Sequence, residues 1–159
     1  MGAGSWESYH AITTLMFRYA ECIDAADFEG IGALFGAGKI TNEGYPGEIV
    51  GPDAVAGLYR STNRVHDDGS LRTRHLTTNV IVDIDEELGT AATRAAFVVL
   101  QATPDLPLQP IVTGRYHDRF ARTDGAWHFV ERHMLLEHVG NVGQHLHPSL
   151  VAQLREPGT

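Results

Sequence analysis

The chain has a single cysteine, Cys22, which excludes an intrachain disulfide and leaves stability to a packed core. Basic residues are scarce: 12 Lys plus Arg stand against 20 Asp plus Glu, a formal net charge of −8, and no segment gathers them. That balance argues against nucleic acid and against anionic membrane surfaces as partners. No apolar run approaches the ~20 residues that cross a bilayer. Residues 1–8 carry neither a basic n-region nor an apolar h-region, so the expectation is a soluble, cytoplasmic protein with no membrane contact. There is no internal repeat, and 159 residues suit one domain with a tail from about residue 140.

Two kinds of periodicity divide the chain. From Glu7 to Ala25, Ile12, Leu15, Met16, Tyr19, Ala20 and Ile23 recur at helical spacing, which predicts a long amphipathic helix. Asp27 caps a second helix through Phe28, Ile31, Leu34 and Phe35, and Gly51-Pro52-Asp53 opens a third with Val55, Leu58 and Tyr59 inside. Between them, Lys39–Glu43 and Glu48–Val50 read as short strands about the turn Gly44-Tyr45-Pro46-Gly47. Arg72–Asp85, Thr90–Thr103, Ile111–Thr123 and Ala126–His138 are rich in β-branched and aromatic residues and separated by turn signals, which predicts an antiparallel meander. Helices followed by long strands make an α+β chain, and Ser149–Leu154 reads as a short final helix.

Two polar residues are out of place in these patterns. Asp24 borders the buried stripe of the first helix, and His75 sits in the first long strand about fifty residues later. A carboxylate that orients an imidazole is a general acid–base pair; the plainer reading is a buried polar pair with no chemistry. Strand parity groups His75, Thr77 and Asn79 on a polar, cavity-facing side, opposite Leu76, Val80, Val82 and Ile84. The same parity groups Tyr116 with Phe120, and Trp127 with Phe129 and His133, as walls of a pocket for a flat, largely apolar ligand.

The text Tyr19-Ala20-Glu21-Cys22-Ile23-Asp24-Ala25-Ala26-Asp27-Phe28, the following Leu34-Phe35, Arg74-His75-Leu76, and Asp124-Gly125-Ala126-Trp127-His128-Phe129 together resemble the SnoaL-like branch of the nuclear-transport-factor-2-like superfamily. The resemblance spans nearly the whole chain. It implies a cone-shaped barrel, a strongly bent, mostly antiparallel sheet closed by three N-terminal helices, with a deep cavity and a homodimer or higher homo-oligomer through the outer sheet face. Members include scytalone dehydratase, bile-acid 7α-dehydratase, polyketide cyclases, ketosteroid isomerase and non-enzymes. Carried over by residue, it makes Asp24 and His75 the dehydratase pair and Tyr19 the cavity tyrosine. The chain departs from scytalone dehydratase in having no histidine in Ala96–Gln101, and no match is found for the bile-acid enzyme's further aspartate or its arginine.

The resulting expectation is a dehydratase, isomerase or cyclase that needs no cofactor and acts on a hydrophobic steroid-, polyketide- or aromatic-like small molecule. Asp24 would fix the tautomer of His75, whose other nitrogen would move the proton, while Tyr19 would bind the developing oxyanion. One alternative is a non-catalytic small-molecule-binding or assembly module of the same fold. Another is a ketosteroid-isomerase-like site using Glu43, which by position is equally a solvated turn residue. His145-Leu146-His147, with His138 and His133 upstream, lacks metal-ligand spacing, so no metal is expected; His145 and His147 are assigned to a tail over the cavity mouth or the dimer edge.

Overall fold

The computed structural model describes residues 5–155, and their side chains except those of Tyr45 and of residues beyond 151. Helix α1 (Trp6–Asp24) begins at Ser5, whose hydroxyl accepts the backbone N–H of Ser8 at 3.1 Å, and buries Ile12, Met16, Tyr19 and Ile23. It ends in a Schellman turn: Ala26 N–H donates to the Ile23 carbonyl at 3.0 Å and Asp27 N–H to the Cys22 carbonyl at 2.8 Å. Ala26 takes the left-handed position at φ 57°, where glycine is usual. The next residue, Asp27, caps α2 (Phe28–Leu34) by accepting Gly30 N–H at 2.8 Å. Three residues, Ala25, Ala26 and Asp27, separate the two helices, and Asp24 stands at the last turn of α1.

Strands β1 (Lys39–Asn42) and β2 (Tyr45–Val50) form a tight hairpin, and α3 (Pro52–Thr62) follows with Pro52 at its start. The meander is β3 (Thr73–Asp85), β4 (Thr90–Thr103), β5 (Leu106–Thr123) and β6 (Ala126–Val139), before α4 (Pro148–Arg155). All six strands form one sheet in the order β2-β1-β6-β5-β4-β3, antiparallel except where β1 runs parallel to β6. The architecture is the expected α+β cone, with the sheet curled about the helices but open between its β2 and β3 edges. Among the described residues, no helix is long and apolar enough to cross a membrane.

The curl comes from irregular pairing. Register shifts interrupt β3–β4 between Thr78 and Ile81, β4–β5 between Val99 and Leu100, and β5–β6 at Thr113–Gly114 and Arg119–Phe120. Each extra residue bends the strand and raises its twist. Gly114 serves the same bend: a Cβ there would collide with the Leu135 carbonyl and the Phe97 ring. β5 also starts earlier than the Pro104–Pro110 turn signals suggest, because Pro107 and Pro110 lie beside the irregular stretch of the β4 pairing, where ladder donors are not needed.

One end of the cone is solid. Phe129 stacks on Phe35 at 4.7 Å and meets Phe120 at 4.6 Å, and the Trp127 indole N–H donates to the Ser8 hydroxyl at 3.1 Å. The other end is hollow.

Candidate active site

The hollow end holds a cavity of about 550 Å³ between the C-terminal half of α1, α3, β1 and the inner face of β3–β6. Ile23, Ile40, Leu58, Val99, Val112 and Met134 make most of its wall apolar, as suits a hydrophobic ligand. His75, Tyr19, Tyr59, Tyr116 and His145 give it polar points.

Asp24 and His75 meet. The His75 Nδ1 lies 2.6 Å from Asp24 Oδ1, the same oxygen accepts the Thr73 hydroxyl at 2.7 Å, and Oδ2 accepts the His75 backbone N–H at 3.0 Å. The Asp24 carbonyl also accepts Leu71 N–H at 3.2 Å. The end of α1 is thus tied to alternate residues of the incoming strand, 71, 73 and 75. Burial raises the Asp24 carboxyl, but the hydrogen bonds and charge of His75 and the Thr73 hydroxyl outweigh it, and the carboxyl is held below its ordinary value. Among the described residues no hydrogen bond engages His75 Nε2, and the ring lines the cavity. With Nδ1–H committed to Asp24, the neutral form of the ring presents its Nε2 lone pair there.

Tyr19 faces the same cavity, its hydroxyl 2.5 Å from that of Tyr59. Burial raises the Tyr19 hydroxyl, against the opposing charge of Arg132, and raises Tyr59 and Tyr116 further, so all three stay protonated. In a hydroxyl pair one O–H donates to the other oxygen, which leaves one donor to spare. Beneath them Arg132 lies 4.2 Å from the centroid of Tyr19 and 3.9 Å from that of Tyr116. It pairs with Asp118 through two bonds of 3.0 and 2.7 Å, both side chains fully buried. Asp118 holds Arg132 in its charged form despite burial.

Other expected wall residues lie elsewhere. Asn79 occupies the β3 bulge at φ 53°, exposed, a conformation that asparagine tolerates; the bulge reverses parity, so Val80, Val82 and Ile84 turn inward instead. The β5–β6 shift does the same to His133, which bonds Thr41 through Nδ1 at 2.7 Å while Arg132 takes the inward place. Phe120, Trp127 and Phe129 point inward as expected but fill the solid end and do not line the cavity. Tyr116 does line it, stacked on Phe97 at 4.3 Å. Glu43 lies in the two-residue hairpin turn between β1 and β2 with an exposed side chain, outside the cavity, which removes the isomerase reading built on it.

The residues missed were Tyr59, Asp118, Arg132 and Phe97. Asp118 had a signal: it stands between Tyr116 and Phe120 on the inward parity of β5. The tail does fold over the cavity, where Val142, His145 and Leu146 line it, whereas His147 turns outward and bonds Ser149 at 2.8 Å.

A cone with a carboxylate-held histidine in an apolar cavity defines a class, and comparison with known proteins places the chain within it. The chain belongs to the SnoaL-like domain family, whose model matches residues 5–133. That fold family includes dehydratases, cyclases and isomerases. No curated protein matches the chain. Among solved structures it is similar to a protein of unknown function from Mycobacterium tuberculosis, 27% identical over 86% of this chain and 76% of that one, with a TM-score of 0.69. It is also similar to a nuclear-transport-factor-2-like protein with a cystatin-like fold from Novosphingobium aromaticivorans (23% identity, 82% of each chain, TM-score 0.69). ActVI-ORFA from Streptomyces coelicolor is more distant in sequence (16% identity, 84% of this chain and 99% of that one, TM-score 0.67). These last two likenesses are of fold.

Proposed function

We propose that the protein is a cofactor-independent acid–base enzyme of dehydratase, isomerase or cyclase type, acting on a hydrophobic steroid-, polyketide- or aromatic-like small molecule. The observation that carries this is the 2.6 Å contact of His75 Nδ1 with Asp24, made at the wall of a largely apolar 550 Å³ cavity. Asp24 fixes the tautomer, and His75 Nε2 takes a proton from carbon beside a carbonyl or phenol. The spare hydroxyl proton of the Tyr19–Tyr59 pair bonds the oxyanion that develops. In a dehydration, protonated His75 returns the proton to the departing hydroxyl, which leaves as water. The chain works as a cytoplasmic homodimer through the outer sheet face, a reading supported by the exposed, outward-facing Leu76 and Ile81 of β3.

The test is a screen of steroid, polyketide and aromatic-diol substrates for loss of water or double-bond migration, repeated with Asp24→Asn and His75→Ala. Turnover lost in both variants supports the reading. Binding without turnover in the wild type makes the protein a carrier of the same ligands, and unchanged turnover in the variants refutes the pair's role.

A further inference from the structure

His145 has no place in the mechanism above, yet its setting is as particular as that of His75. It lies on the segment between β6 and α4, which crosses the cavity and is pinned from several sides. Gly140 N–H donates to the Ile111 carbonyl at 2.7 Å, Arg64 N–H to the His145 carbonyl at 2.8 Å, and His147 N–H to the Thr62 carbonyl at 2.8 Å. The Gln144 carbonyl accepts Gln101 Nε2 at 3.1 Å and contacts His66 Nε2 at 2.9 Å. The imidazole of His145 is therefore held by its backbone, is 9% exposed, and lines the cavity with its ring centroid 6.4 Å from that of His75.

Its two nitrogens differ. Nδ1 is enclosed and has no hydrogen-bond partner among the described residues. Nε2 has none either but is not enclosed, so the cavity is where it can find one. An enclosed N–H without an acceptor costs more than an enclosed lone pair, which places the single proton of the neutral ring on Nε2. Burial is the largest cause that keeps the ring neutral, with its pKa lowered to about 4. The two imidazoles are thus complementary: His75 offers an acceptor and His145 a donor. The 6.4 Å between the ring centroids leaves room for one ligand oxygen between the two imidazoles.

We propose that His145 is a substrate-contacting residue, its Nε2–H donating to a hydroxyl oxygen whose O–H donates a hydrogen bond to His75 Nε2 before that nitrogen takes the carbon-bound proton, so that the site selects ligands carrying an alcohol or phenol at this point. The inference rests on the acid–base reading for the orientation of His75. It narrows the substrate class, since an ether or halide at the same place has no proton for His75.

Two measurements test it without turnover. In the first, 4-nitrophenol and 4-nitroanisole are titrated into the wild type at a pH where the phenol is protonated. The phenol is expected to bind about tenfold tighter, the worth of one well-made hydrogen bond. His145→Phe removes the donor that either oxygen accepts, so it should weaken phenol and anisole binding alike by about tenfold, and His145→Gln, which keeps an N–H donor, should restore part of both. In the second, ¹⁵N NMR of the His145 ring is expected to show the neutral Nε2–H tautomer at pH 6 to 7. A folded His145→Phe protein that binds both ligands as tightly as the wild type, or a His145 ring protonated or carrying Nδ1–H, overturns the proposal. Failure of the acid–base reading appears separately, as a His75 ring without the Nδ1–H tautomer.

Discussion

Asp24 holds His75 twice, through the ring nitrogen at 2.6 Å and through the backbone N–H at 3.0 Å, so the same carboxylate sets both where the strand starts and how the imidazole is turned. Thr73 adds a third bond to that carboxylate. Removing it therefore unsatisfies several buried groups at once. Asp24→Ala should cost about 2–4 kcal/mol of stability, whereas Asp24→Asn, which keeps an acceptor, should cost less. Urea denaturation of the two variants checks the order, and equal losses would contradict it.

Arg132 and Asp118 form a buried ion pair under the tyrosines, with neither side chain exposed. Breaking it from one side strands a charge, so Asp118→Leu or Arg132→Met alone should cost about 3–5 kcal/mol. The double variant should recover most of that loss, because both desolvation penalties disappear together. A four-member thermal-unfolding cycle measures the coupling; additive losses would show that the pair matters only as packing.

The α1 to α2 turn stores a small strain at Ala26, φ 57°. Glycine has no Cβ penalty there, and Ala26→Gly should raise stability by about 1 kcal/mol, reduced somewhat by the greater freedom of the unfolded chain. An unchanged or lowered denaturation midpoint would contradict the assignment of the turn.

How much of this was legible in the sequence depends on where the backbone is regular. Helix α1, expected to run to Ala25 and ending at Asp24, and the inward parity of His75 and Thr77 follow from spacing alone. Parity fails after a bulge, because one extra residue sends every later side chain to the other face. That is why Asn79 and His133 fall outside the cavity and why Arg132 was overlooked. Which end of a cone is hollow also has no linear signature, so Phe120, Trp127 and Phe129 were placed on the correct face and at the wrong end.

Two of the groups that shape the acid limb of stability, His145 and Asp24, act in different windows. For His145 the folded pKa, about 4, lies below the ordinary 6.5. The unfolded chain therefore takes up a proton first as pH falls, and stability drops between 6.5 and 4 by about 3 kcal/mol. For Asp24 the folded value lies below the ordinary 3.8, so its contribution is present above that value and lost only as pH falls further. His145→Phe should flatten the first window and leave the second. Denaturation midpoints from pH 7 to 3 check this, and an unchanged slope in the variant would contradict the burial of a neutral imidazole.

The tyrosine pair should act in the chemical step. Tyr19→Phe or Tyr59→Phe leaves one hydroxyl, still a donor but no longer polarised or positioned by its neighbour at 2.5 Å. Each single variant should lower kcat about tenfold with little change in KM, and the double variant about 10²-fold or more, as for loss of an oxyanion donor. A rise in KM alone would make the pair a binding feature.

The most direct test of the account is the turnover of Asp24→Asn, His75→Ala and the double variant on one substrate from the screen. If Asp24 acts only by orienting His75 as the base, each single variant should lose about 10²–10⁴-fold in kcat and the double variant no more than His75→Ala alone. Wild-type turnover in folded His75→Ala, or losses that multiply in the double variant, would contradict it.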